Sequence, residues 1–127
     1  MQENNLFEYA VIRIVPQVER EEFLNVGVIL YCPKQKFLKC LCAIDKDRLC
    51  SFSSHVDIDE IKAHLHSYAE ICHGAKDGGP IAQLDLPSRF RWLTATRSTV
   101  VQSSKVHPGL CIDPQETLEK LYNQLVL

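Results

Sequence analysis

The sequence has no long apolar run, no marked excess of either charge, and few glycines. Its longest apolar stretch, Val26–Cys32, is far short of the roughly 20 residues needed to cross a bilayer. The opening Met1-Gln2-Glu3-Asn4-Asn5 has neither the basic start nor the apolar segment of a secretory leader, so a cytoplasmic protein is expected. Five glycines and six prolines in 127 residues exclude a fibrous chain, and 46% hydrophobic residues exclude disorder. Fourteen basic residues against sixteen acidic ones leave a net charge of −2. That balance excludes a chain-wide electrostatic grip on nucleic acid, which needs a strongly basic protein. Also missing are the Gly-x-Ser-x-Gly elbow, the Walker loop, the dinucleotide glycine fingerprint and the His-Glu-x-x-His helix. The length suits one domain.

Six cysteines are present. In a secreted chain an even number would suggest a disulfide framework, but here there is no leader and enough chain to bury a core, so reduced core thiols are expected. Cys40 and Cys42 alternate with Lys39 and Leu41 in a strand-like run, which turns both thiols to one face. A zinc site joining them to Cys72-His73 or Cys111 is the alternative, although the paired Cys-x₂-Cys knuckles of such sites are absent. No metal or cofactor is assigned.

The N-terminal third reads as three strands: Glu8–Val15, stopped by Pro16, then Leu24–Cys32, then Phe37–Ile44. Leu24, Val26, Val28 and Leu30 are expected on one face of the second strand, and Asn25, Gly27, Ile29 and Tyr31 on the other. Asp57 and Glu60 form a capping box before Ile58, Ile61, Leu65, Tyr68 and Cys72, an amphipathic stripe that ends at Gly74. A second box, at Asp113 and Glu116 with Pro114 at the first helical position, opens a C-terminal helix that buries Leu118, Leu121, Tyr122 and Leu125. Between the helices, the sequence suggests a short helical or extended segment at Arg89–Leu93 and a strand near Ser98–Gln102. These elements predict an α+β domain over residues 1–127, with an antiparallel sheet of about four strands and two principal helices on one face.

Charge is unevenly placed. Residues 1–66, 67–85 and 111–127 each carry a net −2, whereas residues 86–110 carry +4 and no acidic residue. This segment holds Arg89, Arg91, Arg97 and Lys105, the single Trp92, the hydroxyls of Ser98, Thr99, Ser103 and Ser104, and His107. Guanidinium groups among hydroxyl donors suit a carboxylate or phosphate, and Trp92 with Phe90 could stack on a base. The competing reading is a solvated loop whose arginines pair with nearby carboxylates. Glu19, Glu21 and Glu22 could serve acid–base or Mg²⁺ chemistry, or simply solvate a hairpin. Arg13 interrupts an apolar strand and is expected to pair with Glu22 or a C-terminal carboxylate. His64 and His66 diverge on their helix and make poor co-ligands.

Tyr9–Pro16 (YAVIRIVP) and Arg20–Pro33 (REEFLNVGVILYCP) resemble the opening of the domain-of-unknown-function 3037 family. Arg89–Gln102 (RFRWLTATRSTVVQ) and Val106–Gly109 (VHPG) resemble its second signature block. The resemblance covers nearly the whole chain. It implies a small bacterial protein with no established activity, often encoded beside a HipA-like serine/threonine kinase, which would be its partner. It singles out Arg20, Glu22, Asn25 and Gly27 in one block, and Arg89, Arg91, Trp92, Arg97, Ser98, Thr99 and His107 in the other. The expected function is that of a non-catalytic cytosolic accessory protein. Through these residues it would bind the kinase, another protein, or an anionic small molecule or peptide. The alternative is a small enzyme acting on a phosphorylated or carboxylated substrate with Glu22, Arg97 and His107. Nucleic acid and membrane are not expected partners.

Overall fold

The computed structural model describes residues 4–53, 56–97 and 99–127. Strand β1 (Asn5–Ile14) runs through the middle of a five-stranded antiparallel sheet. On one side it pairs with β2 (Leu24–Cys32), which in turn pairs with β3 (Phe37–Cys42). Two short strands share its other side: β4 (Val101–Ser103) lies against its end and β5 (His107–Cys111) against its start. The helices are α1 (Lys46–Phe52), α2 (Ile58–His73), α3 (Leu86–Leu93) and α4 (Pro114–Leu125). Among the described residues no helix is long and apolar enough to cross a membrane.

The helix starts follow the local chemistry. Asp57 accepts from the Glu60 amide at 3.2 Å, and Asp113 from those of Gln115 and Glu116 at 3.0 and 3.4 Å. Asp45 and Asp85 cap α1 and α3 in the same way. Each carboxylate satisfies amides that have no partner inside the helix and meets the positive end of the helix dipole.

The class is α+β, as the residue pattern predicts, but the long helices lie on opposite faces rather than on one. Strand β2 is the reason. From Val26 to Cys32 it is buried on both sides, so each side needs a cover. α1, α2 and α3 pack with Ala10, Ile12, Ile14, Ile29, Tyr31 and Leu38, while Leu118 and Val126, within and just beyond α4, pack with Phe7, Val28, Leu30 and Cys32. Fully burying one such side chain stabilises the fold by about 1.5–3 kcal/mol.

The faces of β2 also depart from simple alternation. Ile12 lies opposite Gly27 and Arg13 opposite Asn25, so Val26 is an extra residue, a β-bulge. It moves Leu24 and Val26 to the α2 side with Ile29, away from Val28 and Leu30. Gly27 is needed beside the bulge, because a Cβ there would sit 2.6 Å from the Leu41 carbonyl oxygen.

Two elements escape the sequence reading. α1 is seven residues long with a single buried position, Leu49. β5 contains Pro108 and Gly109, which read as an ending.

A second bulge separates β4 from β5. Three steps along β1, from Ile12 to Tyr9, are matched by four from Ser103 to His107. Ser104 bridges the slip. Its amide donates to the Val11 carbonyl at 2.8 Å, and its buried hydroxyl accepts from the Val11 amide at 2.8 Å. Ser104→Ala should leave that amide buried without an acceptor. The expected loss is about 1–3 kcal/mol of stability, read as a lower urea midpoint with an unchanged denaturant slope.

Candidate functional site

Two of the three arginines of the basic segment engage carbonyls at helix ends. The last carbonyls of an α-helix have no partner within it and carry partial negative charge, so a cation placed there is favoured. Arg89 is buried, lies over Gly74 at the end of α2, and reaches the Cys72 carbonyl at 3.5 Å. Arg97 donates to the Trp92 carbonyl near the end of α3 and lays its guanidinium 4.0 Å above the Trp92 ring, a cation–π contact. The expected pairing of arginines with acidic residues is thus replaced here by pairing with carbonyl oxygens. Arg91 remains exposed on α3, near the Tyr31 hydroxyl.

Asn25 has a comparable role at the far end of the chain. Its side-chain amide donates to the Leu125 carbonyl at 3.1 Å, and Arg48 from α1 donates to Val126 at 2.9 Å. Together they hold the end of α4 against β2 and α1. Nothing in the sequence spacing marks Arg48 for this role, since its acceptor is 78 positions away.

In the His107-Pro108-Gly109 motif, two residues pack on neighbours in β1. His107 stacks on Tyr9 with ring centroids 5.3 Å apart. Gly109 lies opposite Phe7, whose ring a Cβ at Gly109 would approach to 2.5 Å. Thr99 donates to the Val101 carbonyl at 2.7 Å in the turn before β4. Ser98 lies outside the described residues.

Arg20 and Glu22 form an exposed ion pair at 2.6 Å. Because Glu22 is held there, Arg13 turns elsewhere: its guanidinium lies 3.9 Å from the centre of the Phe23 ring. Burial pushes the Arg13 pKa down. The expected Arg13–Glu22 ion pair is therefore replaced by an aromatic contact. His64 and His66 each sit near a carboxylate one turn away, Glu60 at 3.7 Å and Glu70 at 2.8 Å.

The two signature blocks approach each other at the end of β1, where the Val15 amide donates to the Val100 carbonyl at 2.7 Å. Among the described residues, their side chains line different cavities. Glu22 and Arg20 line a small one of about 80 Å³ with Pro16, Gln17, Phe52 and Ser53. Trp92, Arg97 and Thr99 line another of about 160 Å³ with His64, Tyr68 and Val101. His107 pairs with Tyr9, whereas β4 pairs with Ile12–Ile14 near that end of β1. From Tyr9 to Ile14 is five residues of strand, roughly 17 Å.

An exposed apolar pair lies outside the elements expected from the sequence. Leu6 and Leu110 are direct cross-strand partners, 57% and 67% exposed, and Ile112 beside them is 49% exposed. Leu6 precedes the strand as read from sequence, and Leu110 follows a Pro-Gly pair, so neither falls in a recognised element.

A pair of substitutions separates structural from free arginines. Arg89→Gln should cost about 1.5–3 kcal/mol, the range for hydrogen bonds to a charged group. Arg91→Gln should stay within about 0.5 kcal/mol, as at other unencumbered surface sites. Thermal denaturation of the two variants beside the parent protein checks both values.

No curated protein and no solved structure matches the chain. The model of one protein family, described as a protein of unknown function (DUF3037), matches residues 9–126. That span takes in both signature blocks, the helix ends they secure and all of α4, and so the chain belongs to the DUF3037 family.

Proposed function

We infer that the protein is a non-catalytic accessory module of the bacterial cytoplasm that binds a protein partner through the open end of its sheet. One observation carries this reading: Leu6 and Leu110, side by side on one face, are the adjacent apolar residues most open to solvent. Opposed residues of an antiparallel pair point the same way, so the two form one apolar patch, with exposed Ile112 two residues further along the chain. Clustered exposure of this kind marks interaction sites, whereas scattered apolar residues do not. The second signature block leads directly into it through His107, Pro108 and Gly109.

Two further points support binding over catalysis. Glu22 and Arg97, two groups the enzymatic alternative needs, line different cavities. Capture of a free anion by residues 89–107 is less favoured, because Arg89 and Arg97 are engaged with helix carbonyls. The partner to which we assign the surface is the HipA-like kinase that the family resemblance implies.

The test is titration of the purified kinase, from the same genome, with the parent protein and with Leu110→Asp, Leu6→Asp and Arg91→Glu variants. Either aspartate should weaken binding at least ~10-fold, since a central apolar anchor contributes on the order of 1–2 kcal/mol or more. Arg91→Glu should change it little. Unchanged affinity in both aspartate variants, with their folds intact by circular dichroism, would remove this surface from the proposal. Absence of binding by the parent protein would remove the kinase.

A further inference from the structure

Three of the six cysteines meet between β3 and α2. Cys40 and Cys42 stand two residues apart on β3 and face α2 together. Cys72 comes from the last turn of α2 and is buried against them. Cys40 interacts with both neighbours, and Cys42 and Cys72 each interact most strongly with Cys40. The sulfurs therefore form a row with Cys40 in the middle. A row is not a metal cradle: among the described residues no group of three or more His, Cys, Asp or Glu could hold a metal ion. It does suit an attacking thiol with a resolving thiol on either side.

Charge and access favour the same assignment. The flanking S–H groups and His73 favour an anion at Cys40 and push its pKa down, against the opposing effect of burial. Donation to Cys40, together with burial, pushes Cys42 and Cys72 up. Cys40 is thus the thiol whose neighbours favour its ionised form, and the thiolate is the nucleophilic form of cysteine. Cys40 and Cys42 line an open cavity of about 530 Å³ between β3 and α2, with Leu65 and Ala69 on its wall and Lys62 and His66 also lining it. That cavity opens onto the wall formed by Cys40 and Cys42. The other buried pair, Cys32 and Cys111, belongs to the α4 side of the sheet.

We propose that Cys40, Cys42 and Cys72 form a two-electron redox site for hydroperoxides, with Cys40 attacking and Cys42 or Cys72 resolving. The Cys40 thiolate bonds to one peroxide oxygen and the O–O bond breaks. The departing oxygen takes a proton from solvent and leaves as an alcohol, or as water from hydrogen peroxide. Cys40 is then a sulfenic acid. The sulfur of Cys42 or Cys72 attacks it and the S–O bond breaks, and the hydroxyl leaves with the attacking thiol's proton as water. In sum, two thiols give up two electrons to form one disulfide, and one peroxide is reduced.

The experiment treats the full-length protein with hydrogen peroxide and maps the products by mass spectrometry, using a Cys50→Ser background because Cys50 is exposed. The expected product has lost two hydrogens per chain, contains Cys40 bridged to Cys42 or Cys72, and is restored by dithiothreitol. A Cys42→Ser, Cys72→Ser double variant should stop at a sulfenic acid on Cys40, trapped by dimedone. Cys40→Ala, which keeps a small apolar side chain in the core, should form no bridge. Peroxide that leaves the thiols unaltered, or that oxidises Cys32 or Cys111 in place of Cys40, overturns the proposal, as does a bridge that survives in Cys40→Ala. Mapping of the single-variant background decides the matter if the double variant fails to fold.

Discussion

A helix that ends against protein brings carbonyl oxygens out of water, and those oxygens need donors. Much of this fold can be understood from that requirement. α2 ends under the buried guanidinium of Arg89, α3 is followed by Arg97 bonded to the Trp92 carbonyl, and α4 ends between Asn25 and Arg48. Arg89, Asn25 and Arg48 come from other elements, so their contacts also fix one element against another. Arg89 ties α3 to α2, and Asn25 ties β2 to α4. Residues that look like an anion site in one dimension thus hold the layers together in three. The positive charge of residues 86–110 is in good part a response to the negative ends of two helices.

The same requirement explains why some of the molecule is legible in its sequence and some is not. Helix starts are written locally: Asp57 and Glu60 are three residues apart, as are Asp113 and Glu116, and one can read the caps directly. The end of α3 is met locally, by Arg97 five positions beyond Trp92, but those of α2 and α4 are completed over longer separations, 17 positions from Arg89 to Cys72 and 100 from Asn25 to Leu125. No short window of sequence contains either of these last two pairs. The strand faces were obscured for a different reason. β2 is apolar on both sides, so its pattern cannot say which side a helix covers, and the Val26 bulge shifts the alternation within a single strand. β5 was hidden by its own motif, since Pro108 and Gly109 usually punctuate chains, yet Gly109 sits in the ladder where the Phe7 ring leaves room for nothing larger.

Membership of the DUF3037 family gives these contacts a wider bearing. The blocks that carry the resemblance contain Asn25, Gly27, Arg89, Arg97 and Gly109, and each of these has a packing or capping role in the structure. A signature built of such residues describes how a domain is assembled. What it leaves for partners is a smaller set: the Arg20–Glu22 pair, Arg91, the outer side of Trp92, and the apolar end of β1 and β5.

The slip at Ser104 has a consequence for how this sheet can grow. An open sheet edge is a template on which other chains can add strands, and long flat edges promote fibrils. Here that edge is split. β4 and β5 lie along the same side of β1 but out of step by one residue, joined by a serine hydroxyl in place of a backbone carbonyl. An incoming straight strand that matches one piece is out of register with the other, and Pro108 removes a donor from the longer piece. The edge can therefore offer a short, local match while resisting endless addition, which protects the domain from copies of itself.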